Sequence, residues 1–189
     1  MKLNLKLLLS FYHADCRIFQ SINQHYDQRI LQLFFSRITH LGGATFTICT
    51  CLILAFLTTN LTRQTAIASA ISLAISHIPV HLIKKLYPRK RPYLIIDKSK
   101  FPIKALRDHS FPSGHTTAIF SVIIPFVLYM PTLSILLITI GLSVGISRIF
   151  LGLHYPSDVM AGALLGTTSG MISYSYVQQV TESTLRGIL

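Results

Sequence analysis

Long apolar runs separated by short polar segments dominate the sequence from about residue 41 onward. Each run approaches the length that an α-helix needs to cross the hydrocarbon core of a bilayer. We therefore predict an all-α fold, a polytopic transmembrane helical bundle. The predicted spans are residues 41–59, 64–87, 114–130, 133–150 and 156–177.

The first 40 residues have a different pattern, in which apolar and charged positions alternate at short intervals. Such spacing is typical of short amphipathic helices that lie in the membrane interface. An imperfect first span is the alternative, so the bundle has five or six spans. We divide the chain into interfacial helices (1–40), a transmembrane domain (41–180) and a short C-terminal tail (181–189).

Two polar segments, 84–111 and 147–158, interrupt the apolar pattern. Two predicted spans lie between them, joined by a tight turn near Pro131. A chain that crosses the membrane twice returns to the side it left. Both polar segments are therefore expected at the same membrane face.

Composition supports a membrane protein with an anionic partner. Only 12% of the residues are charged, and 17 Lys and Arg against six acids give a formal charge of +11. Nucleic acid, an anionic membrane surface and a phosphate substrate all fit such an excess. Nucleic-acid binding does not need membrane spans, so the lipid bilayer and a phosphate are the predicted partners. The three cysteines fit no disulfide framework or metal pattern.

The first polar segment contains Lys84 and, seven residues later, Arg91 followed by proline. Pro88 and Pro92 indicate a stiff, non-helical exit from the span, which would hold Arg91 in one place. A basic anchor at the end of a span is the alternative interpretation.

The same segment ends in Pro-Ser-Gly-His at residues 112–115, directly before an apolar run. Ser113 is predicted to cap that helix, and Gly114 lets the backbone approach a ligand closely. Free N–H groups at a helix start favour an anion, beside which His115 would lie. An ordinary capped helix with an interfacial histidine is the alternative.

The second polar segment places Arg148 six residues before His154, and Asp158 four residues after it. Pro156 suits the first position of a helix, so Asp158 falls in its first turn and can reach back to His154. A carboxylate on one imidazole nitrogen frees the other to act as a nucleophile. A helix cap with a surface His–Asp pair is the alternative.

Together these residues are the set that phosphoryl transfer requires: cations for the phosphate oxygens, a nucleophile and an acid for the leaving oxygen. Their order and spacing resemble the signature of the type 2 phosphatidic acid phosphatase (PAP2) superfamily, K-x6-RP, PSGH and SR-x5-H-x3-D, with no departure between residues 84 and 158. The resemblance implies His154 as nucleophile, Asp158 as its partner and His115 as general acid. The phosphate-binding residues would be Lys84, Arg91, Ser113, Gly114 and Arg148.

The resemblance also implies a hydrolase for a lipid phosphate or diphosphate that works without a metal or other cofactor. Undecaprenyl diphosphate is the first choice of substrate, with phosphatidylglycerophosphate and phosphatidate as rivals. A non-catalytic scaffold or transporter on the same fold, and a phosphotransferase, are the alternatives in function. His77 and His81 have a spacing that could share a metal ligand, but Pro79 lies between them and polar packing is favoured.

Two arguments about orientation disagree. If residues 1–39 lie on the site face, that face carries all Lys and Arg except Arg63 and Arg186, and the positive-inside tendency then predicts a cytoplasmic site. Bacterial members of the superfamily usually face outward. We expect the site at the extracytoplasmic face of the cell membrane on that family ground.

Overall fold

The apolar and amphipathic segments form seven α-helices in the computed structural model, which describes residues 2–102 and 108–186. Three single turns of 3-10 helix, Thr39–Gly42, Pro92–Leu94 and Pro131–Leu133, join some of them, and the described residues contain no strand. The all-α prediction is thereby confirmed. The helices are α1 (Lys2–Asn23), α2 (Arg29–Ile38), α3 (Ala44–Leu57), α4 (Asn60–Leu86), α5 (Gly114–Tyr129), α6 (Ser134–Phe150) and α7 (Pro156–Arg186).

Fewer helices than predicted can span a bilayer on length and composition alone. In the described residues, α4 and the segment Pro131–Phe150 meet both conditions, and α2 with α3 forms a third candidate that is bent by 54°. Helices α3 and α5 have only 14 and 16 residues, which gives about 21 and 24 Å against a core of about 30 Å. The five predicted spans therefore correspond to helices of unequal length, and not all of them are long enough to cross a bilayer as single straight helices.

Helix α7 packs closely on α5 because its small residues leave room for the neighbouring backbone. A Cβ added at Gly162 would lie 2.6 Å from the carbonyl oxygen of Ser113, and one at Gly166 would lie 2.5 Å from that of Thr117. Both distances are too short for any side chain. This close contact places the start of α7 beside the start of α5.

Hydroxyl groups, as well as apolar side chains, fill the contact between α4 and α5. The hydroxyl of Ser69 donates to the carbonyl of Val122 at 2.9 Å, and that of Ser121 donates to Ser76 at 2.9 Å. Small hydroxyl residues allow two helices to approach closely while satisfying each other's polar groups. They also lower the apolar character of these helices, although the helices lie in the core of the bundle.

The N-terminal helices pack against the polar end of the bundle. Helix α1 contacts α6 and α7, and the buried amide of Asn23 donates to the carbonyls of Lys100 and Phe150 at 2.8 and 2.9 Å. The separation of residues 1–40 as interfacial helices stays a prediction. Helix α7 runs on to Arg186, and residues 187–189 of the predicted tail lie outside the described residues, as does Met1.

Candidate active site

The two polar segments meet in one pocket of about 200 Å³ at the end of the bundle. It is formed by the ends of α4, α5 and α6, the loop before α7, and the turn that follows α2. Six of the eight predicted site residues line it, whereas Ser113 and Asp158 lie behind its wall. The lining residues are Gly42, Ala44, His77, Lys84, Arg91, Asp108, Gly114, His115, Ala118, Arg148 and His154.

The hydrogen bonds of His154 define the tautomer of its imidazole, that is, which ring nitrogen carries the proton and which carries the lone pair. Nη1 of Arg91 lies 3.2 Å from Nε2 of His154. A guanidinium group can only donate, so Nε2 must accept and the ring proton resides on Nδ1. The imidazole is thereby in the tautomer that a nucleophilic Nε2 requires.

The other nitrogen of His154 faces a buried carboxylate. Nδ1 lies 3.6 Å from Oδ2 of Asp158, which is completely buried. That distance is longer than a good hydrogen bond, and Oδ2 also accepts the hydroxyl of Ser110 at 2.5 Å and the N–H of Tyr155 at 2.8 Å. The carboxylate is therefore held by several donors and is placed to stabilise positive charge on the ring.

Burial keeps the imidazole of His154 neutral. Loss of hydration is the largest effect that lowers its pKa, and the charges of Arg148 and Arg91 lower it further. Asp158 opposes them, and the resulting pKa is about 4. At neutral pH Nε2 is consequently unprotonated, and its lone pair accepts the hydrogen bond from Arg91.

Arg148 combines an anchored end with an unpaired donor. Its Nη1 donates to the hydroxyl of Thr39 at 2.9 Å, which fixes the guanidinium against the turn after α2. Its Nε is buried and has no hydrogen-bond partner among the described residues. A buried N–H of a cation without a partner is costly, so this donor is suited to an anionic oxygen.

Asp108 is a site residue that the motifs did not identify. Its carboxylate accepts Nη2 of Arg91 at 2.7 Å and forms an ion pair with Lys84. Burial alone would raise the pKa of Asp108, but the hydrogen bond from Lys84 and the charges of both cations outweigh it and set the pKa at about 2. The carboxylate of Asp108 thus forms ion pairs with two of the three cations that are predicted to bind phosphate.

The start of α5 presents its backbone, and not the side chain of Ser113, to the pocket. The hydroxyl of Ser113 lies 2.9 Å from that of Thr116, and the residue makes no side-chain capping bond. Gly114 lines the pocket, and a Cβ added to it would meet no atom within 4 Å. The direct phosphate contact of the Ser113 side chain stays a prediction that its hydroxyl contacts do not favour.

Two further residues, Arg89 and Asp15, lie on the side of Asp158 that faces away from the pocket. Arg89 donates to Asp158 at 2.7 Å and to Asp15 at 2.8 Å. Arg89 lies between the motif residues Lys84 and Arg91, in a run of basic residues where the sequence gives no reason to single it out. Asp15 belongs to α1 and is buried. No motif marks it in the sequence, where it is distinguished only as one of six acidic residues.

His77 and His81 do not form a recognisable metal centre. No group of three or more potential metal ligands occurs within residues 2–102 and 108–186. Nδ1 of His77 lies 2.9 Å from the carbonyl oxygen of Leu73, to which only a protonated nitrogen can donate. His77 also lines the pocket, so it is a polar group at the pocket's edge.

Comparisons with known proteins agree with these motifs. The model of the PAP2 superfamily matches residues 65–182. The bacitracin transport permease protein BcrC of Bacillus licheniformis is 33% identical over 116 residues, which cover 61% of this chain and 57% of the relative. The lipid A 1-phosphatase of Rhizobium johnstonii is 30% identical over 106 residues, covering 54% and 43% respectively.

The undecaprenyl-diphosphatase of Sulfolobus acidocaldarius is 30% identical over 113 residues, covering 59% of this chain and 55% of that protein. The chain spans about half the length of these curated relatives. Among solved structures, the transmembrane PAP2-type phosphatidylglycerolphosphate phosphatase of Bacillus subtilis matches with a TM-score of 0.71 and 25% identity, covering 92% of this chain and 87% of that one. This match confirms the predicted transmembrane fold.

The protonation of His154 can be tested directly. Histidine-selective isotope labelling and NMR in detergent should show that the imidazole of His154 stays neutral, with an unprotonated Nε2, down to about pH 5, below the ~6.5 of an unperturbed histidine. The H154N variant assigns the signal by its loss. Because burial favours the neutral form, protonation should destabilise the folded state as the pH falls toward 4. A midpoint near that of an exposed histidine would contradict the geometry.

Proposed function

The chain belongs to the PAP2 superfamily, and from that premise we propose that it is a membrane-bound lipid phosphatase that acts through a phosphohistidine on His154. The observation that carries the proposal is the state of that imidazole. Its Nε2 accepts from Arg91 at the pocket wall, and its Nδ1 faces the buried carboxylate of Asp158. A neutral nucleophile, a carboxylate behind it and cations in front form one unit.

In the first step, Nε2 of His154 attacks phosphorus and the bond from phosphorus to the leaving oxygen breaks. The negative charge of the bound phosphate favours the protonated form of His115, and this imidazolium donates a proton to that oxygen, which leaves as a lipid alcohol or, from a diphosphate, as a lipid monophosphate. The imidazole ring becomes positively charged while its proton stays on Nδ1. Asp158 stabilises this charge, as the carboxylate does in related His–Asp arrangements.

In the second step, water attacks the phosphohistidine. His115, now neutral, removes a proton from the water as the new P–O bond forms and the P–N bond breaks. Inorganic phosphate leaves, and His154 returns to its starting tautomer. Each step uses the same pair of histidines in opposite proton-transfer roles.

Three cations replace the metal ion that many phosphatases use. Lys84, Arg91 and Arg148 line the pocket, and the unpaired Nε of Arg148 offers one further donor to a phosphate oxygen. A phosphate carries more negative charge than the carboxylate of Asp108, so it can displace that group from Lys84 and Arg91. The proposed reaction is therefore independent of a metal or other cofactor.

The substrate is proposed to be a lipid because the phosphate pocket adjoins an apolar groove between α3 and α4. The groove has a volume of about 310 Å³ and shares Ala44 and His77 with the pocket. This is the low end of the range for ligand pockets, and favours one chain over several. The other lining residues are Thr47, Ile48, Cys51, Leu52, Ala70, Leu73 and Ala74.

A single chain agrees with undecaprenyl diphosphate as the first choice of substrate, and a relative from Sulfolobus acidocaldarius carries the name undecaprenyl-diphosphatase. Phosphatidylglycerophosphate, the substrate named for the solved neighbour, and phosphatidate are the rivals. Each of these has two chains, of which one would remain in the bilayer.

A transporter is a second candidate, because one relative is named a bacitracin transport permease. Transport does not need a neutral histidine backed by a buried carboxylate. A phosphotransferase would use the same first step and pass the phosphoryl group to a second lipid in place of water. The phosphatase is favoured because it explains every motif residue in the pocket.

The covalent intermediate provides the main test. With a radiolabelled lipid diphosphate, acid-sensitive and alkali-stable label should be trapped on the protein, as expected of a phosphohistidine. The H154N variant should lose both the label and phosphate release, by about 10³-fold or more. Exposed His13 gives the matched control, since H13N should retain both.

The same assay should proceed in EDTA. Activity that requires a divalent metal, or that survives in H154N, would contradict the proposed mechanism. Transfer of the label to a second lipid, in preference to water, would instead identify a phosphotransferase.

Filling the groove should discriminate against long-chain substrates. An A74F substitution places an aromatic ring in the groove, so KM for undecaprenyl diphosphate should rise about tenfold, or ~1.4 kcal/mol, through lost apolar contacts. The rate with a soluble short-chain phosphate should not change. Ala74 lies on α4, and Ala55 lies on α3 at a position that does not line this groove, so A55F is the control. Equal effects on long and short substrates would exclude the groove as the tail site.

The extracytoplasmic orientation stays part of the proposal and has a separate test. In a variant with Cys16, Cys49 and Cys51 replaced by serine, D97C places one thiol in the exposed loop near the site. A membrane-impermeant maleimide should label it in intact cells. R63C, at the opposite end of α4, should be labelled only after permeabilisation. The reverse pattern would place the site in the cytoplasm, as the charge distribution predicts.

A further inference from the structure

We propose that Arg89 and Asp15 are positioning residues for the phosphatase reaction, which act on His154 through Asp158. This inference rests on the proposed function, because it gives helix α1 a role in the same site. Neither residue lines the phosphate pocket. Their contribution lies in the charge and orientation of the carboxylate behind the nucleophile.

Arg89 connects the two carboxylates through separate nitrogens. Nη1 donates to Oδ1 of Asp158 and to the hydroxyl of Ser157, both at 2.7 Å, while Nη2 donates to Oδ2 of Asp15 at 2.8 Å. The guanidinium carbon lies 3.9 Å from the centre of the Tyr155 ring, which covers one of its faces. Arg89 is therefore fixed by four groups from α1 and from the beginning of α7.

Asp15 binds the first turn of α7 as well as Arg89. Its Oδ1 accepts the backbone N–H of Ser157 at 2.9 Å, and its Oδ2 accepts the Ser157 hydroxyl at 2.5 Å. The first N–H groups of a helix lack intrahelical partners and favour an anion. Asp15 thus caps the first turn of α7 from α1, 142 residues away in sequence.

These contacts place four groups of alternating charge in a row. When His154 becomes phosphorylated, the row reads positive, negative, positive, negative from His154 through Asp158 and Arg89 to Asp15. Asp158 and Arg89 alone are neutral as a pair, so Asp15 restores one net negative charge behind the imidazole. That charge opposes the cations in front and stabilises the positive ring that forms during the reaction.

The row predicts opposite effects for the removal of Asp15 and of Arg89. Removing the charge of Asp15 leaves a neutral pair behind His154, so the imidazole becomes harder to protonate and to phosphorylate. Removing the charge of Arg89 leaves two unbalanced carboxylates, which makes His154 easier to protonate. A role in stability alone would not give shifts of opposite sign.

Other charged groups also face His154 and remain the same in every variant. They approach from α4, the following loop, α5 and α6, and none of them contacts Asp15. Any difference between the variants therefore reports on the row itself. The charged groups are Lys84, Arg91, Asp108 and Arg148, and the titratable histidines of the same pocket are His77 and His115.

The test uses full-length protein in detergent and two readouts: the NMR titration of His154 and the single-turnover rate of phosphoenzyme formation. D15N should slow phosphorylation of His154 about tenfold with little change in KM. The pH midpoint of the His154 titration should be lower than that of the wild type. R89Q should move the His154 midpoint upward. R89K keeps the charge but not the forked hydrogen bonds, so it should have the wild-type midpoint and form the phosphoenzyme more slowly than the wild type.

Two control variants separate this role from the packing of α1. N23A removes a buried link from α1 to the same loops, and should lower thermal stability without slowing phosphorylation. D27N removes an exposed aspartate that pairs with Lys100, and should change neither readout. Asp27 and Asp15 undergo the same chemical substitution at exposed and buried positions.

Shifts of equal sign in D15N and R89Q, or a rate loss in N23A as large as in D15N, would overturn the proposal. If R89Q does not fold, D15N decides alone, since a normal rate of phosphorylation would refute a role for Asp15. If the wild type forms no phosphoenzyme, the proposed function fails. The NMR titration of the substrate-free protein would still show whether the row controls His154.

Discussion

The buried carboxylate of Asp158 is the constraint on which the rest of this site depends. It is completely enclosed, and an unpaired buried charge of this kind costs about 3–5 kcal/mol. Its partners come from separate parts of the chain: Ser110 and Arg89 from the loop after α4, and the Tyr155 N–H from the loop before α7. Satisfying one charge therefore brings the polar segments together and fixes the place of His154.

The same requirement explains why the pocket is electropositive while its nucleophile is neutral. The carboxylates of Asp158 and Asp15 are used behind the imidazole, so Arg148 and Arg91 face the pocket with less compensation. Their charges lower the pKa of His154 in addition to its burial. The proposed binding of phosphate and the unprotonated state of Nε2 thus follow from one charge arrangement, and neither needs a metal ion in the proposed reaction.

Residues that act through local spacing could be predicted from the sequence. The interval from His154 to Asp158 and the proline between them place the carboxylate in the first turn of α7, where the structure has it. The two spans between the polar segments likewise placed both segments at one end. Long-range partners left no such pattern, because Asp15 meets Ser157 across 142 residues and Thr39 meets Arg148 across 109.

The number of spans and the contacts of Ser113 were also beyond local reasoning. Hydropathy shows how apolar a segment is, but α7 has small and hydroxyl residues that pack against α5, and α3 continues from α2 through a bend. Ser113 is the predicted N-cap residue of α5, yet its hydroxyl lies against Thr116. Its backbone N–H donates to the carbonyl of Asp158, so it supports the start of α7 more directly than it supports a ligand.

The phosphate pocket and the lipid-facing groove divide the task of recognition between different helices. The pocket is built from groups that recognise any phosphate, and nothing in its charges distinguishes one lipid from another. The groove is built from small residues of α3 and α4, whose side chains set its width, and it meets the pocket at Ala44 and His77. Because the motif residues are fixed by the buried carboxylate, substrate preference can change along α3 and α4 without disturbing the nucleophile. In the proposed function, lipid selectivity is consequently a property of helix packing, whereas the chemistry is a property of the polar end.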